Sequence, residues 1–189
     1  MSLENSVENK LEEDKEMVEF EVASTPDSKL VEELAEVEKA SFKGYEEGSL
    51  LKKEDFIEYV EDSRNVVLIA RRGKLIVGYA IVTPLEEAIE DLSRYDPEIS
   101  ESDTENKYYC ESIAVIHELR KQNLAVEMTR EIIEELKKRG AKKYSLHISS
   151  SRGRHDVRTK DFLKNSKIIR TIPNWLNSGK SFDYIEYEI

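Results

Sequence analysis

Glu111 is the first residue of this chain that asks for a chemical explanation. It stands inside an apolar run, Lys107 to Ile116 (KYYCESIAVI), that reads as a strand. A carboxylate buried and unpaired in such a place is costly, so its presence needs a reason. Burial would raise its pKa toward the range in which a carboxylate works as a general base. The plainer alternative is a strand-edge Glu in solvent or paired with an Arg or Lys. His147 lies inside a later strand, Lys143 to Ser149 (KYSLHIS), and offers an imidazole able to accept a proton near neutral pH. A lone histidine in a strand is more often structural. Alternation puts Tyr109 on the face of Glu111 and Cys110 on the opposite one, which argues against a cysteine nucleophile. Tyr109, Tyr184 and Tyr187 are further proton carriers by residue type, although tyrosines in strands usually just pack. His117 and His155 fall in loops with no metal-ligand spacing, and no dense His and carboxylate cluster offers a metal site.

A second chemical signal follows directly. The ESIAV strand runs through a short loop, His117 to Asn123, into the clearest helix of the chain, Leu124 to Arg139. Met128, Ile132 and Leu136 form one apolar row of that helix, Lys137, Lys138 and Arg139 fall in its last turn, and Gly140 sits where a C-terminal cap belongs. A helix start after such a loop presents unpaired backbone N–H groups and partial positive charge. Arg120, Lys121, Gln122 and Asn123 add donors around it. Those parts together suit a pyrophosphate.

The elements that must position these residues follow from periodicity. Met1 to Glu16 is polar and acidic and reads as a mobile tail, leaving 17–189 as a single domain. Met17 to Ala23 alternates as a half-buried strand does. Pro26-Asp27-Ser28 starts a helix that carries Leu30, Val31, Leu34, Val37 and Ala40 and ends near Gly44. A second helix fits Lys52 to Glu61. Val66 to Ala70, a turn at Arg72-Gly73, and Lys74 to Val82 make a hairpin, with Gly78 marking a bulge or a close backbone approach. Leu85 to Asn106 holds nine carboxylates from Glu86 to Glu105 against Arg94 alone, and reads as an acidic excursion between strands with part of it a helical turn. Val157 to Lys164 reads as a short helix, and Lys167 to Ile172 and Phe182 to Ile189 as a last strand pair. The expected fold class is α/β: a mixed, mostly antiparallel sheet of six or seven strands flanked by about four helices.

The 189 residues carry 40 acidic and 29 basic side chains, a formal net charge of -11. Residues 1–106 hold 29 acidic and 12 basic groups, whereas 107–170 hold 8 acidic and 16 basic. Such a split suits two ligands of opposite charge, or is a drift of surface charge without meaning. The net acidity argues against a nucleic-acid partner. No apolar run is long enough to span a membrane, and the amino terminus lacks the pattern of a signal peptide, so a cytoplasmic location is expected. Cys110 is the single cysteine and forms no intrachain disulfide.

On these residues the chain resembles the GNAT N-acetyltransferase family. The family's loop pattern, Arg/Gln-x-x-Gly-x-Gly/Ala, is matched by Arg120-Lys121-Gln122-Asn123-Leu124-Ala125, and the preceding ESIAV and the following helix fit its style. Asn123 replaces the first glycine, and Asn is the non-glycine residue best able to take a left-handed conformation. The segment IPNWLN before the last strand is similar to the tail of the subgroup that acetylates protein amino termini. The resemblance implies acetyl-CoA as cosubstrate, its pantetheine arm on the backbone of Ile113, Ala114 and Val115. Its pyrophosphate would lie on the N–H groups of Lys121 to Ala125.

It also implies that Glu111 faces the acceptor amine and that His147 matches a position where the subgroup can carry a catalytic Glu. Arg152 stands near a family Asn. Phe162 stands near the family's Tyr and lacks its hydroxyl, so Tyr109, Tyr184 or Tyr187 would have to replace that acid. The implied activity is acetyl transfer to a primary amine, on a protein amino terminus, a lysine or a small cationic amine. The alternative is a family member that has lost catalysis and binds acyl-CoA or a partner protein as a regulator. No metal is implied, and a homodimer stays open.

Overall fold

The computed structural model describes residues 17–43, 50–99, 104–120, 122–150 and 166–189. The tail, Lys121, and 151–165 with Arg152, Phe162 and the expected helix at 157–164 lie outside them. Seven strands form one mixed sheet: β1 (Val18–Val22), β2 (Val66–Arg72), β3 (Leu75–Pro84), β4 (Lys107–Val115), β5 (Lys143–Ser149), β6 (Ser166–Ile172) and β7 (Phe182–Glu188). Their spatial order is β1-β2-β3-β4-β5-β7-β6. β4 and β5 run parallel, whereas β1 with β2, β5 with β7, and β6 with β7 are antiparallel. Among the described residues four α-helices stand out: α1 (Ser28–Ser41), α2 (Lys53–Glu61), α3 (Leu85–Ser93) and α4 (Leu124–Lys138). That is the fold class the sequence leads one to expect.

The chain divides into two compact units, Met1–Ile81 with Ser112–Glu131, and Val82–Glu111 with Ile132–Ile189. In the first, Asp27 caps α1 by accepting from the Leu30 N–H at 2.9 Å. Leu30, Val31, Leu34, Ala35 and Val37 are its buried stripe, and Phe56 and Val60 that of α2. Phe56 meets Tyr79 of β3 edge-on, with ring centroids 5.2 Å apart. A Cβ at Gly78 would stand 2.8 Å from the Ala114 carbonyl and 3.2 Å from the Met128 sulfur, so the glycine marks a close backbone approach.

In the second unit the acidic excursion is more ordered than its composition suggests. Its first nine residues are α3, with Leu85, Ala88 and Leu92 buried and Glu86 and Glu87 in the first turn, where the helix dipole favours anions. The apolar spacing was present in the sequence, but the density of carboxylates hid it. Leu85, Ala88, Leu92, Ile99, Tyr109, Ile172, Trp175 and Tyr184 make a core cluster of this unit. On the same sheet face Lys107 forms a buried ion pair with Glu186, which Lys143 also reaches at 3.1 Å.

Candidate active site

β4 positions Glu111. Its register with β5 runs from Lys107 opposite Lys143 to Tyr109 opposite Ser145, and Cys110 and Glu111 continue the strand beyond the last of these pairs. The Glu111 carboxylate accepts a hydrogen bond from the Thr83 hydroxyl of β3 at 3.1 Å. Its partner is thus a neutral hydroxyl rather than a cation. Burial pushes the Glu111 carboxyl up to about 7, the Thr83 bond opposes the shift, and the charge of Asp91 on α3 adds to it. A carboxyl poised there can take a proton at neutral pH. Cys110 is buried with its thiol pushed up to about 12 by that burial, which removes it as a nucleophile.

Tyr109, two residues earlier on the same face, is 4% exposed. Its hydroxyl lies 3.0 Å from Nδ1 of His147. The other ring nitrogen, Nε2, lies 3.4 Å from Oδ2 of Asp96, and both of these side chains are only 1% exposed. Asp96 in turn receives Arg170 of β6, whose Nε stands 2.8 and 3.0 Å from the two carboxylate oxygens and whose Nη2 also donates to Oδ2. Trp175 stacks on the imidazole at 3.9 Å and 17°. Burial holds His147 down at about 4, against the pull of Asp96, so the ring is neutral at physiological pH. Among the described residues both nitrogens are engaged, and His147 reaches an outside group through Tyr109. Burial first and the Glu111 charge second raise the Tyr109 phenol well above its ordinary range. Tyr184 is raised likewise by burial, and the Arg170 guanidinium lies over its ring at 4.6 Å.

The later half of β4 and the start of α4 belong to the first unit. Ser112 faces away from Glu111, and its hydroxyl is 3.3 Å from that of Tyr79. Arg120 bonds protein carbonyls: its Nε donates to Val115 at 3.3 Å and its Nη2 to Ser41. The residue expected to meet phosphate is thereby also a brace between the end of β4 and α1. Gln122 donates from its side chain to the Glu118 carbonyl at 3.4 Å. Asn123 has φ +62°, the left-handed conformation that its family counterpart glycine takes easily. Its carbonyl accepts from Val126 and Glu127, so the Leu124 and Ala125 N–H groups precede the first intrahelical bonds. Those donors fit a phosphate group. Leu124 is buried and Ala125 exposed.

A model of the acetyltransferase (GNAT) family matches residues 31–157. The chain belongs to the GNAT acetyltransferase family. Solved structures agree on the fold. The ribosomal-protein-S18-alanine N-acetyltransferase of Escherichia coli aligns with TM-score 0.64 and 12% identity, over 92% of this chain and 94% of that one. The PaiA N-acetyltransferase of Thermoplasma acidophilum, solved with coenzyme A, aligns with TM-score 0.62 and 15% identity, over 92% and 99%. Ard1 of Thermoplasma volcanium aligns with TM-score 0.64 and 9% identity, over 91% and 97%. No curated protein sequence matches.

Within this GNAT chain, the structure brings Glu111, Tyr109 and His147 to one sheet face and leaves Ile113 to Ala125 in the other unit. Among the described residues no cluster of His, Cys, Asp and Glu is suited to a metal ion, and no helix is long and apolar enough to cross a membrane. Sequence reasoning missed Thr83, Asp96 and Arg170. Nothing singles out Asp96 among nine carboxylates. Arg170 carried a weak signal as the one charge within the β-branched run IIRTI.

Proposed function

We propose that the chain is an acetyl-CoA-dependent N-acetyltransferase acting on a primary amine by direct attack in a ternary complex. The observation that carries this reading is Glu111, a half-buried carboxyl that among the described residues has a single hydroxyl partner, with a pKa lifted to about 7, on the strand that leads into the family's loop. The Leu124 and Ala125 N–H groups, with Arg120, Gln122 and Asn123 beside them and Lys121 from the loop pattern, hold the pyrophosphate of acetyl-CoA. The family resemblance adds Arg152 and Phe162, which lie outside the described residues, as candidate cosubstrate residues. The backbone of Ile113, Ala114 and Val115 carries the pantetheine arm.

The protonated amine gives one proton to Glu111, and its nitrogen lone pair attacks the thioester carbonyl. The C–N bond forms, the C–S bond breaks, the nitrogen releases its second proton as it becomes the amide, and the coenzyme leaves as a thiolate that takes up a proton in its place. The Ile113 N–H stabilises the charge on the carbonyl oxygen during this step. The acceptor is cationic, a protein amino terminus, a lysine or a small amine. The carboxylates of α3, among them Asp91, whose charge acts on Glu111, support that class.

The test is coenzyme A release from acetyl-CoA with a panel of peptides bearing free amino termini, lysine peptides, polyamines and amino sugars. Turnover that is lost in Glu111→Gln supports the reading. Acetyl-CoA binding without turnover on any amine would favour a regulator that has lost catalysis.

A further inference from the structure

The proton step leaves the group of Arg170, Asp96 and His147 unexplained. It is an expensive arrangement for anchoring alone. A buried carboxylate and guanidinium usually add less stability than apolar residues of the same volume, because desolvation offsets their attraction. Arg170 already satisfies both Asp96 oxygens, yet Oδ2 also faces His147 Nε2. The ring is further fixed by Trp175 on one side and Tyr184, at 4.9 Å, on another.

The geometry determines the tautomer. A carboxylate can only accept, so the nitrogen facing Asp96 must carry the hydrogen. Nδ1 of the neutral ring is then a lone pair, and the Tyr109 hydroxyl 3.0 Å away must donate to it. The Tyr109 proton is committed, and what its oxygen still offers is lone pairs. Tyr109 lies two positions from Glu111 on the same strand face and feels its charge.

We propose that Asp96 and Arg170 are positioning residues for acetyl transfer: through the Nε2–H tautomer of His147 they turn Tyr109 into a hydrogen-bond acceptor for the attacking amine. The proposal rests on the acetyl-transfer reading and deepens it. An amine that has given one proton to Glu111 keeps two N–H bonds and one lone pair. Tyr109 accepts from one N–H and so orients the lone pair toward the thioester. Tyr109 is then no replacement for the missing acid, and the leaving thiolate is protonated by another group.

Two measurements test this. Imidazole 15N NMR on the wild-type protein needs no variant: an Nε2–H signal for His147 at neutral pH is expected, and an Nδ1–H tautomer overturns the proposal. A double-mutant cycle reads the coupling. Asp96→Asn, Arg170→Gln and Tyr109→Phe are each expected to lower kcat by about 10²-fold at most with little change in the KM for acetyl-CoA, and Arg170→Lys to retain much of the activity. Asp96→Asn placed on Tyr109→Phe should cost nothing further. Effects of Asp96→Asn and Tyr109→Phe that multiply would assign Asp96 a merely structural role and overturn the inference. A wild type that turns over no amine is a separate failure, seen before any substitution, and overturns acetyl transfer itself together with this use of Tyr109.

Discussion

Glu38 in the first unit and Glu111 in the second each sit against a hydroxyl, and the two are set up for opposite purposes. Glu38, on α1 of the first unit, is buried and accepts from two donors, the Tyr79 hydroxyl at 2.5 Å and the Leu51 N–H at 3.0 Å. Glu111, on β4 of the second unit, is less buried, and among the described residues it accepts from Thr83 alone. A carboxylate with enough donors is a structural pin, because its charge is already solvated by the protein. One with too few keeps an appetite for a proton. Donor number, rather than depth, separates the two.

The largest expected effect is on rate. Glu111→Gln should lower kcat/KM by roughly 10²- to 10⁴-fold, as for loss of a general base, whereas Glu38→Gln should leave kcat nearly unchanged. Steady-state coenzyme release checks both, and a comparable rate loss in Glu38→Gln would erase the distinction. In the wild type the base must be ionised, so kcat/KM should fall as pH drops through about 7. That limb should vanish in Glu111→Gln.

Stability should show the reverse order. Glu111 has a folded pKa of about 7 against an ordinary 4.5, so the folded state holds its proton more tightly than the unfolded one. Its contribution is fully present below the unfolded value and is lost as pH rises through the folded one. Glu111→Gln escapes that loss and should be more stable than the wild type above pH 7 by up to ~3 kcal/mol, with the gain fading toward pH 4.5. Urea denaturation at pH 5 and pH 8 reads it, and an unchanged difference between the two pH values would contradict the burial argument. Glu38→Gln puts an amide N–H₂ against one of two donors and should destabilise by about 1–3 kcal/mol at both pH values.

The smallest change tests donor number itself. Thr83→Val removes the Thr83 hydroxyl bonded to Glu111 at nearly constant volume. It should move the acid limb of the rate profile to higher pH by up to about one unit. A shift to lower pH would mean that Thr83 does not stabilise the ionised form.

Much of this was readable from local pattern. The strand Lys107 to Ile116, the helix from Leu124 and the hairpin around Gly73 all follow from alternation, 3.6-residue spacing and turn residues within a window of a dozen positions. Asn123 as a tolerable stand-in for glycine was legible because its left-handed backbone is a property of one residue type. The placement of Tyr109 and Glu111 on one face came from the same arithmetic. The helix α3 was less legible because charge density outweighed a short apolar stripe.

The sequence by itself therefore determined the elements, their faces and the loop that leads into α4, since each depends on near neighbours along the chain. Only the tertiary structure decided which glutamate is satisfied and which is left short of donors. It alone brought Asp96 to His147 across 51 residues and Arg170 to Asp96 across 74. The physical reason is that periodicity reports the direction of a side chain, whereas its partner depends on closure of distant segments. A pKa, a tautomer and a hydrogen-bond role are set by that partner.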